Sequence, residues 1–367
     1  MKAKKLDLNI IISITIFFIM SIASIYTAKN FMNIENITIK QIIYYIIGTI
    51  LLFISYKNKD MIFKYAIIWY IGLNILLLFL LFFGLSVNGS KCWIFIGPFS
   101  IQPSEFMKIA IIILDANIVN KYYCLKRCMA NNLKVITQIM LVFIIPAILT
   151  FLEPDTGVVI IYFIISVCMI LSYGLNKKWY IIIVGALLLI SSIFIILYIV
   201  DKNMLVKFMG TNIFYRIERI INWSNQSGYQ LENSLIVIAT SGILGYGLNN
   251  IPLYFPEAGT DFIFTSLSSI AGFVGILFLI LIMLIFDISI IKICQMKINI
   301  RDKAFLYGII GMLLYQQVQN IGMTLGLLPI TGITLPFISY GGSSLLSYMF
   351  VTGMILGIIK SRKYSIN

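Results

Sequence analysis

One carboxylate in this chain is placed to do acid–base chemistry without a neighbouring cation. Asp261 directly precedes an apolar run, and Glu257 lies four residues before it. No Lys or Arg occurs within ten residues on either side of the stretch 255–266. A tight ion pair would lower the basicity of a carboxylate, so an unpaired Asp261 is suited to accept a proton. The helix dipole also favours an acid at a helix N-terminus, so both interpretations stay open.

A second pair of charges lies three positions apart. At that spacing Glu105 and Lys108 share one face of a helix. They form a structural ion pair, or Lys108 is free to hold an anionic group such as a phosphate. Asp155 lies in EPDTG at 153–157, where an Asp between Pro and Gly is also an ordinary turn residue. Asp115 lies inside an apolar segment, and we assign it only pairing with a neighbouring helix.

Membrane helices must position these side chains. The chain has 367 residues, of which 60% are hydrophobic and 11% charged, and its mean hydropathy is +1.00. Soluble domains average about a quarter charged residues. Apolar stretches of about twenty residues recur, and each would cross a bilayer as a helix because lipid offers the backbone no hydrogen bonds. We predict an all-α polytopic membrane protein, a single domain over residues 1–367. The predicted transmembrane helices lie at 8–28, 41–56, 61–84, 104–120, 135–152, 158–173, 179–200, 262–290, 304–323 and 340–359.

The distribution of basic residues predicts the orientation. The net charge is +13, which we attribute to the positive-inside rule rather than to a nucleic-acid surface. With the N-terminus inside, nineteen Lys and Arg residues fall on the inner side and eight on the outer side. Both termini are therefore expected to be cytoplasmic. The chain contains no His, which excludes His general bases and His-ligated metal sites.

Three segments on the predicted outer side depart from the helical pattern. Residues 85–103 and 325–345 contain Gly and Pro yet remain apolar, so we expect both to re-enter the membrane as irregular backbone. Such backbone is tolerated at membrane depth only where protein or water surrounds it. Residues 201–261 form one long extracellular loop, with an interfacial helix expected at 204–223. These segments together predict an outward-facing cavity.

Six blocks of the sequence resemble the SEDS family (RodA, FtsW and SpoVE), the membrane glycosyltransferases that polymerise bacterial peptidoglycan. The blocks occur in order and cover nearly the whole chain. They are NGSKCWIFIGPFSIQPSEFMKIA (88–110), EPDTG (153–157), YRIERI (215–220), GYQLENSLIVIATSGILGYGL (228–248), TDFIF (260–264) and IGMTLGLLPITGITLPFISYGGSSLL (321–346). Any one block would be a weak match, but six in sequence are specific.

The resemblance implies a polymerase of lipid II, the undecaprenyl-pyrophosphate-linked disaccharide, at the outer face of the bacterial cytoplasmic membrane. Activation of an acceptor hydroxyl needs a base, and the proposed catalytic residue of the family matches Asp261. Cations must offset the pyrophosphate charge, which implies Lys108, Arg216 and Arg219 as substrate-binding residues and a divalent cation, Mg²⁺ or Mn²⁺, as a possible cofactor. Arg216 and Arg219 could equally contact lipid headgroups.

Further polar residues are implied as substrate ligands. Glu105 would act with Lys108, Asp155 would orient a sugar or the metal, and Asn320 and Ser343 would bind sugar hydroxyls. For Asn320 and Ser343, capping of broken helices is an alternative role. The family also implies a class B penicillin-binding protein as a partner, because the chain has no soluble domain that could crosslink glycan strands.

The chain departs from the usual family pattern at four positions. Gly259 stands where His is usual, Ser269 and Ile270 replace a Glu-Glu pair, and Glu153 stands where Gln is common. Two other functions therefore stay open: a lipid II flippase, because broken membrane segments also suit transporters, and a non-catalytic activator of a penicillin-binding protein. The sequence leaves open whether the chain serves elongation, division or sporulation.

Overall fold

Over the described part of the chain, the fold is a bundle of long helices with a small sheet. The structure is a computed structural model that describes residues 2–32, 34, 36–87, 90–97, 99–123, 125, 128–176, 178, 179, 181, 182, 185 and 228–364. Its helices are α1 (Lys2–Ala28), α2 (Ile37–Lys64), α3 (Ala66–Phe83), α4 (Pro103–Tyr123), α5 (Met129–Leu152), α6 (Thr156–Tyr173), α7 (Tyr229–Thr240), α8 (Ile263–Cys294), α9 (Ile300–Thr324) and α10 (Gly342–Tyr364). Its strands are β1 (Leu85–Val87), β2 (Ser90–Ile96) and β3 (Phe99–Ile101).

The predicted spans correspond to these helices with one exception. The span at 179–200 lies almost entirely outside the described residues, and each of the others coincides with a long helix. Seven of the described helices are long and apolar enough to cross a membrane, and α4 and α9 are the long ones that miss this criterion. Both carry polar residues that face other helices rather than lipid. The prediction of a polytopic helical membrane protein is therefore confirmed.

The boundary between the second and third spans differs from its prediction. The chain was expected to turn near residues 57–60, but α2 continues to Lys64 after a kink at Asn58, and the turn comes at Tyr65. Lys59 and Asp60 were therefore expected to lie between the two spans. Instead they are neutralised by α9, because Lys59 Nζ lies 2.9 Å from Asp302 Oδ2 and Asp60 pairs with Arg301 at 2.6 Å. Lys59 and Asp302 are both buried.

Helix α4 lies at the centre of the bundle. It packs against α3, α5, α6, α9 and α10. Most of its side chains are buried, including the ionisable Glu105, Lys108 and Asp115. The pairing expected for Asp115 is not seen, because neither of its carboxylate oxygens has a hydrogen-bond partner among the described residues. Charged side chains are costly to expose to lipid, and the helices that surround α4 shield its side chains from lipid. Placing α4 at the centre therefore brings its polar residues into the interior, where a site can use them.

Close packing of α10 along α2 follows from small residues. Gly353 and Gly357 are four residues apart on one face of α10, the spacing that lets helices approach closely in membranes. A Cβ atom at Gly353 would collide with the carbonyl oxygen of Leu52, and one at Gly357 would lie 3.0 Å from the carbonyl oxygen of Tyr56. The contact fixes the helix that follows the irregular segment 325–341.

Helix α8 is interrupted near its start. Gly272 has φ 57° and ψ −151°, which breaks the helical hydrogen bonding. The loop after α7 supplies the missing partners: Tyr246 N donates to Ser269 O at 2.7 Å, and Phe273 N donates to Gly242 O at 3.0 Å. Gly245, with φ 77°, lies so close to Ile270 that a Cβ atom would be 2.5 Å from its carbonyl carbon. The loop thereby holds the first turns of α8, which begin beside Asp261.

The irregular segments take two different forms. Residues 85–103 were expected as irregular backbone within an all-α fold, but β1, β2 and β3 within this segment form an antiparallel sheet in the order β1-β2-β3. Pairing between the strands provides hydrogen-bond partners for their backbone N–H and C=O groups, as a helix would. Residues 325–341 do lack regular structure, as expected. Their apolar side chains Leu335, Phe337 and Ile338 are buried in the bundle. The interfacial helix expected at 204–223 lies outside the described residues.

Candidate active site

A polar cavity of about 370 Å³ lies at the end of the bundle opposite the two termini. The sheet, the start of α4, the turn between α5 and α6, the segment before α8 and the segment 331–344 all contribute to its wall. Its polar lining includes Gln102, Glu105, Asp155, Glu257, Thr260, Asp261, Gln316, Tyr340, Ser343 and Ser344. Four of the sequence blocks, which lie far apart along the chain, therefore meet here: 88–110, 153–157, 260–264 and 321–346.

The backbone at Asp261 is held by three successive hydrogen bonds. Tyr340 N donates to Gly259 O at 2.8 Å, and Ser339 Oγ donates to Thr260 O at 2.6 Å. Asn320 Nδ2 donates to Asp261 O at 2.8 Å and also to Ile333 O at 2.8 Å. Every carbonyl from residue 259 to 261 is thus bound to the segment 320–340. These bonds fix the main chain from which the Asp261 side chain enters the cavity.

The carboxylate of Asp261 lies in the cavity without a partner among the described residues. None of the described residues donates a hydrogen bond to it or forms an ion pair with it, as expected from the absence of cations in this part of the sequence. Burial, followed by the nearby charges of Glu257 and Asp155, raises the pKa of Asp261 to about 7. A carboxylate with that pKa is a stronger base than an ordinary Asp and is still ionised in about half of the molecules at neutral pH.

Glu105 and Lys108 form the ion pair that their spacing predicts. Lys108 Nζ lies 2.7 Å from Glu105 Oε2 and 5.5 Å from the centre of the Tyr348 ring. Lys108 is fully buried, whereas Glu105 reaches the cavity wall. The ion pair that was one of the two expectations for these residues is therefore present. Binding of a phosphate by Lys108 stays a prediction, and it would require the ammonium to turn toward the cavity past Glu105.

Asp155 combines a structural role with a place in the cavity. Its Oδ1 accepts a hydrogen bond from Val158 N at 3.3 Å and so caps the N-terminus of α6. Its Oδ2 accepts one from Gln102 Nε2 at 2.7 Å. Burial raises the pKa of Asp155 to about 6, against the lowering effect of the Val158 hydrogen bond. Gln102 also links Asp155 to Ser343, because the Ser343 Oγ accepts a hydrogen bond from Gln102 N at 2.7 Å.

The remaining predicted ligands are distributed differently. Asn320 is fully buried behind Asp261, and both of its amide hydrogen bonds go to main-chain carbonyls. That arrangement supports the position of Asp261 and leaves no donor for a sugar hydroxyl. Arg216 and Arg219 lie outside the described residues. Within the described part of the chain, no group of three or more acidic or Cys residues could hold a metal ion, so the divalent cation stays a prediction.

Two glutamines that were not among the predicted ligands also line the cavity. Gln102 bonds to Asp155 and Ser343, and Gln316 lines the cavity while its Nε2 donates to Tyr348 Oη at 2.7 Å. Gln102 was visible in the block at 88–110, directly before Pro103. Gln316 lies in α9, where a polar run inside a membrane span was the available signal.

Three of the positions at which the chain departs from the usual SEDS pattern make specific contacts in the structure. Gly259 lies against Met32, whose Cγ would be 3.4 Å from an added Cβ atom. Ser269 Oγ donates to Asn250 O at 2.6 Å, and the carbonyls of Ser269 and Ile270 accept the hydrogen bonds of the loop after α7. These residues fasten the loop to the first turns of α8.

Comparison with known proteins decides the family. The model of the cell cycle protein family of FtsW, RodA and SpoVE matches residues 4–364. The chain belongs to this family. A probable peptidoglycan glycosyltransferase FtsW of Wigglesworthia glossinidia brevipalpis is 36% identical over 301 residues, covering 77% of this chain and 73% of the relative. Stage V sporulation protein E of Bacillus subtilis (strain 168) is 31% identical over 299 residues, covering 77% and 74%.

Solved structures share the fold at lower sequence identity. A chain from a peptidoglycan synthase complex that coordinates polymerization and crosslinking has a TM-score of 0.78 and 22% identity, covering 96% of this chain and 97% of that chain. The rod shape determining protein RodA of Thermus thermophilus has a TM-score of 0.68 and 21% identity, covering 96% of both chains. The chain is thus a multi-pass membrane protein with the RodA fold.

Proposed function

We propose that this FtsW/RodA/SpoVE family member is a peptidoglycan glycosyltransferase that polymerises lipid II into glycan strands. The observation that carries the proposal is the Asp261 carboxylate, which lies in the cavity with its backbone held at three carbonyls and no described donor on its side chain. The glycosyltransferase names of the relatives support the same reaction class.

In the proposed reaction Asp261 accepts the proton of an acceptor sugar hydroxyl. The hydroxyl oxygen then forms a bond to the anomeric carbon of the donor, and the bond from that carbon to the lipid pyrophosphate breaks. Asp155 and Ser343, joined through Gln102, would present polar groups to the sugars. The leaving pyrophosphate needs positive charge. Lys108, which is paired with Glu105 of the cavity wall, would supply part of this charge. Arg216, Arg219 or a divalent cation would supply the rest.

The proposal includes an orientation and a partner. Both termini would lie in the cytoplasm, which puts the cavity at the outer face, where lipid II and a class B penicillin-binding protein would meet it. Reporter fusions in the loops 121–134 and 292–303 should then give cytoplasmic signals, and fusions within 201–260 external ones. A cytoplasmic signal from 201–260 would put the cavity on the wrong side for this function.

Polymerisation of purified lipid II by the purified protein tests the reaction itself. Glycan strands should form, with the rate rising when the penicillin-binding protein is added. If glycan strands form only when a second protein with its own intact glycosyltransferase is present, this chain is a non-catalytic activator of that protein. Translocation of lipid II across vesicles without strand formation would favour the flippase.

A further inference from the structure

Three buried polar side chains on the first two helices reach the irregular segment 325–341, which supports Asp261. Ser21 of α1 and Gln41 of α2 are fully buried, and Tyr45 of α2 is nearly so. Polar groups inside membrane helices are costly unless they find a hydrogen-bond partner. None of the three is among the described residues that line the cavity, so their role is not direct contact with a substrate.

Tyr45 binds the segment where its backbone is strained. Phe337 has φ 66°, in the left-handed region that residues with a Cβ atom rarely adopt. Such a conformation persists only where the surroundings hold it. The Phe337 ring stacks on Phe17 at a centroid distance of 5.4 Å, and the Phe337 carbonyl accepts a hydrogen bond from Tyr45 Oη at 2.6 Å. Loss of the hydroxyl would therefore free this carbonyl and let the backbone relax.

The next two carbonyls are also held by α1 and α2. Ser21 Oγ donates to Ile338 O at 2.7 Å. Gln41 Nε2 donates to Ser339 O at 3.3 Å and to Ser21 Oγ at 3.1 Å, so the two side chains support each other. Ser21, Gln41 and Tyr45 together form a carbonyl clamp on three successive residues of the segment.

The carbonyl clamp acts on the residues that hold the main chain at Asp261. Ser339 Oγ donates to Thr260 O at 2.6 Å, and Tyr340 N donates to Gly259 O at 2.8 Å. These two donors belong to a clamped residue and to the residue that follows it. A shift of the clamped backbone would therefore move the main chain from which Asp261 extends. Misplacement of a catalytic group by about 1 Å can cost about 10²-fold in rate.

We propose that the carbonyl clamp is a set of positioning residues that holds residues 337–340 in the conformation required to place the Asp261 carboxylate. The inference rests on the proposed function, because the rate that the clamp affects is that of lipid II polymerisation. Since the clamp side chains lie outside the cavity lining, their loss should lower turnover and leave the binding of lipid II unchanged.

Tyr45→Phe tests the clamp with the smallest change. It removes the hydroxyl and keeps the ring, which packs edge-on against Phe18 at a centroid distance of 4.8 Å. We expect kcat for polymerisation of purified lipid II to fall by about tenfold to 10²-fold, while KM stays close to the wild-type value. Ser21→Ala, which removes the donor to Ile338 O, should act in the same direction.

Tyr70→Phe and Ser55→Ala are the matched controls. The buried Tyr70 Oη donates to Val142 O at 3.0 Å, and the Ser55 Oγ donates to Phe350 O at 2.7 Å. Each control removes the same kind of hydroxyl–carbonyl bond at a helix contact elsewhere in the bundle. The controls should lose about as much thermal stability as the clamp variants and should keep the wild-type kcat. A merely structural role for the clamp predicts an equal change in kcat for Tyr45→Phe and Tyr70→Phe.

Hydrogen exchange measured by mass spectrometry gives a readout that needs no activity. The amides of residues 338–340 all donate hydrogen bonds, two of them to Leu335 O and one to Gly259 O. Tyr45→Phe should speed their exchange, because a released segment opens more often. Tyr70→Phe should leave their exchange at the wild-type rate.

The two readouts distinguish the inference from the proposed function. A wild type that forms no glycan strands would overturn the polymerase proposal, and the exchange rates would then decide alone whether the clamp holds the segment. An active wild type together with a Tyr45→Phe variant of unchanged kcat would leave the polymerase in place and overturn the positioning role. Exchange of residues 338–340 at the wild-type rate in Tyr45→Phe would also overturn it, as would an equal loss of kcat in Tyr70→Phe.

Discussion

Replacing Lys108 by Met tests the buried ion pair on which α4 depends. The change removes the ammonium that lies 2.7 Å from Glu105 and leaves that carboxylate buried without its partner. Breaking a buried pair on one side typically costs about 3–5 kcal/mol. Because Glu105 reaches the cavity wall and part of its charge can be hydrated, we expect about 3 kcal/mol.

The double variant Glu105→Gln with Lys108→Met supplies the matched comparison. It removes both charges, and replacement of a whole buried pair by neutral groups is often close to neutral. Most of the lost stability should therefore return. Lys121→Met, at the exposed end of the same helix, should change the free energy of unfolding by less than about 0.5 kcal/mol. Denaturant unfolding in detergent micelles measures all three.

The outcome also decides what Lys108 does in the reaction. A single variant as stable as the wild type would refute the reasoning about the pair. If the double variant is stable but does not polymerise lipid II, the Glu105–Lys108 pair has a role in the reaction beyond stability. If the double variant is stable and active, the pair is structural only.

Three other substitutions address how the site is held. Asn320→Ala should destabilise the protein by about 1–3 kcal/mol for each buried carbonyl that loses its donor and should slow polymerisation; unchanged thermal unfolding would show that neither hydrogen bond matters. Gly245→Ala forces a Cβ atom against the backbone of Ile270 and should lower both the unfolding temperature and activity, whereas Gly247→Ala, with nothing within 4 Å, should cost less stability. Gly353→Leu should separate α10 from α2 and lower the unfolding temperature; retention of the parental value would contradict the close packing.

The sequence predicted the helices well because lipid imposes a strong rule on them. A backbone in hydrocarbon must form helices, so the length and hydropathy of each segment nearly determine a span. The rule fails where charges are neutralised inside the protein. The predicted spans left Lys59 between two helices, yet it lies within α2 and is buried against Asp302, a residue 243 positions away. Such a pairing depends on how α2 and α9 pack, which the local sequence does not determine.

The sequence predicted the charged residues of the site better than the hydrogen bonds that hold its backbone. The lack of cations near Asp261 and the spacing of Glu105 and Lys108 are local features, and both survive in the structure. The bonds from Asn320, Ser339 and Tyr340 to residues 259–261 join segments about 60 to 80 positions apart. A sugar-binding role for Asn320 was a reasonable expectation for a polar residue in a membrane span, but the fold directs its amide to the backbone.

Replacement of Asp261 by Asn measures the central claim most directly. Asn keeps the shape of the side chain and removes its basicity, and the fold should survive because the supporting hydrogen bonds go to main-chain carbonyls rather than to the carboxylate. Glu257→Gln is the matched control, because it removes another carboxylate from the same cavity. Its polymerisation rate reports the effect of losing one negative charge without changing Asp261.

Polymerisation of purified lipid II is compared at pH 7 to 8, with unfolding temperature and binding to the penicillin-binding protein recorded for each variant. We expect Asp261→Asn to be stable, partner-bound and slower by about 10²–10⁴-fold, a far larger loss than that of Glu257→Gln. The wild-type rate should rise with pH through about 7 as Asp261 ionises. A stable Asp261→Asn protein that polymerises lipid II at the parental rate would contradict the assignment of Asp261 as the base.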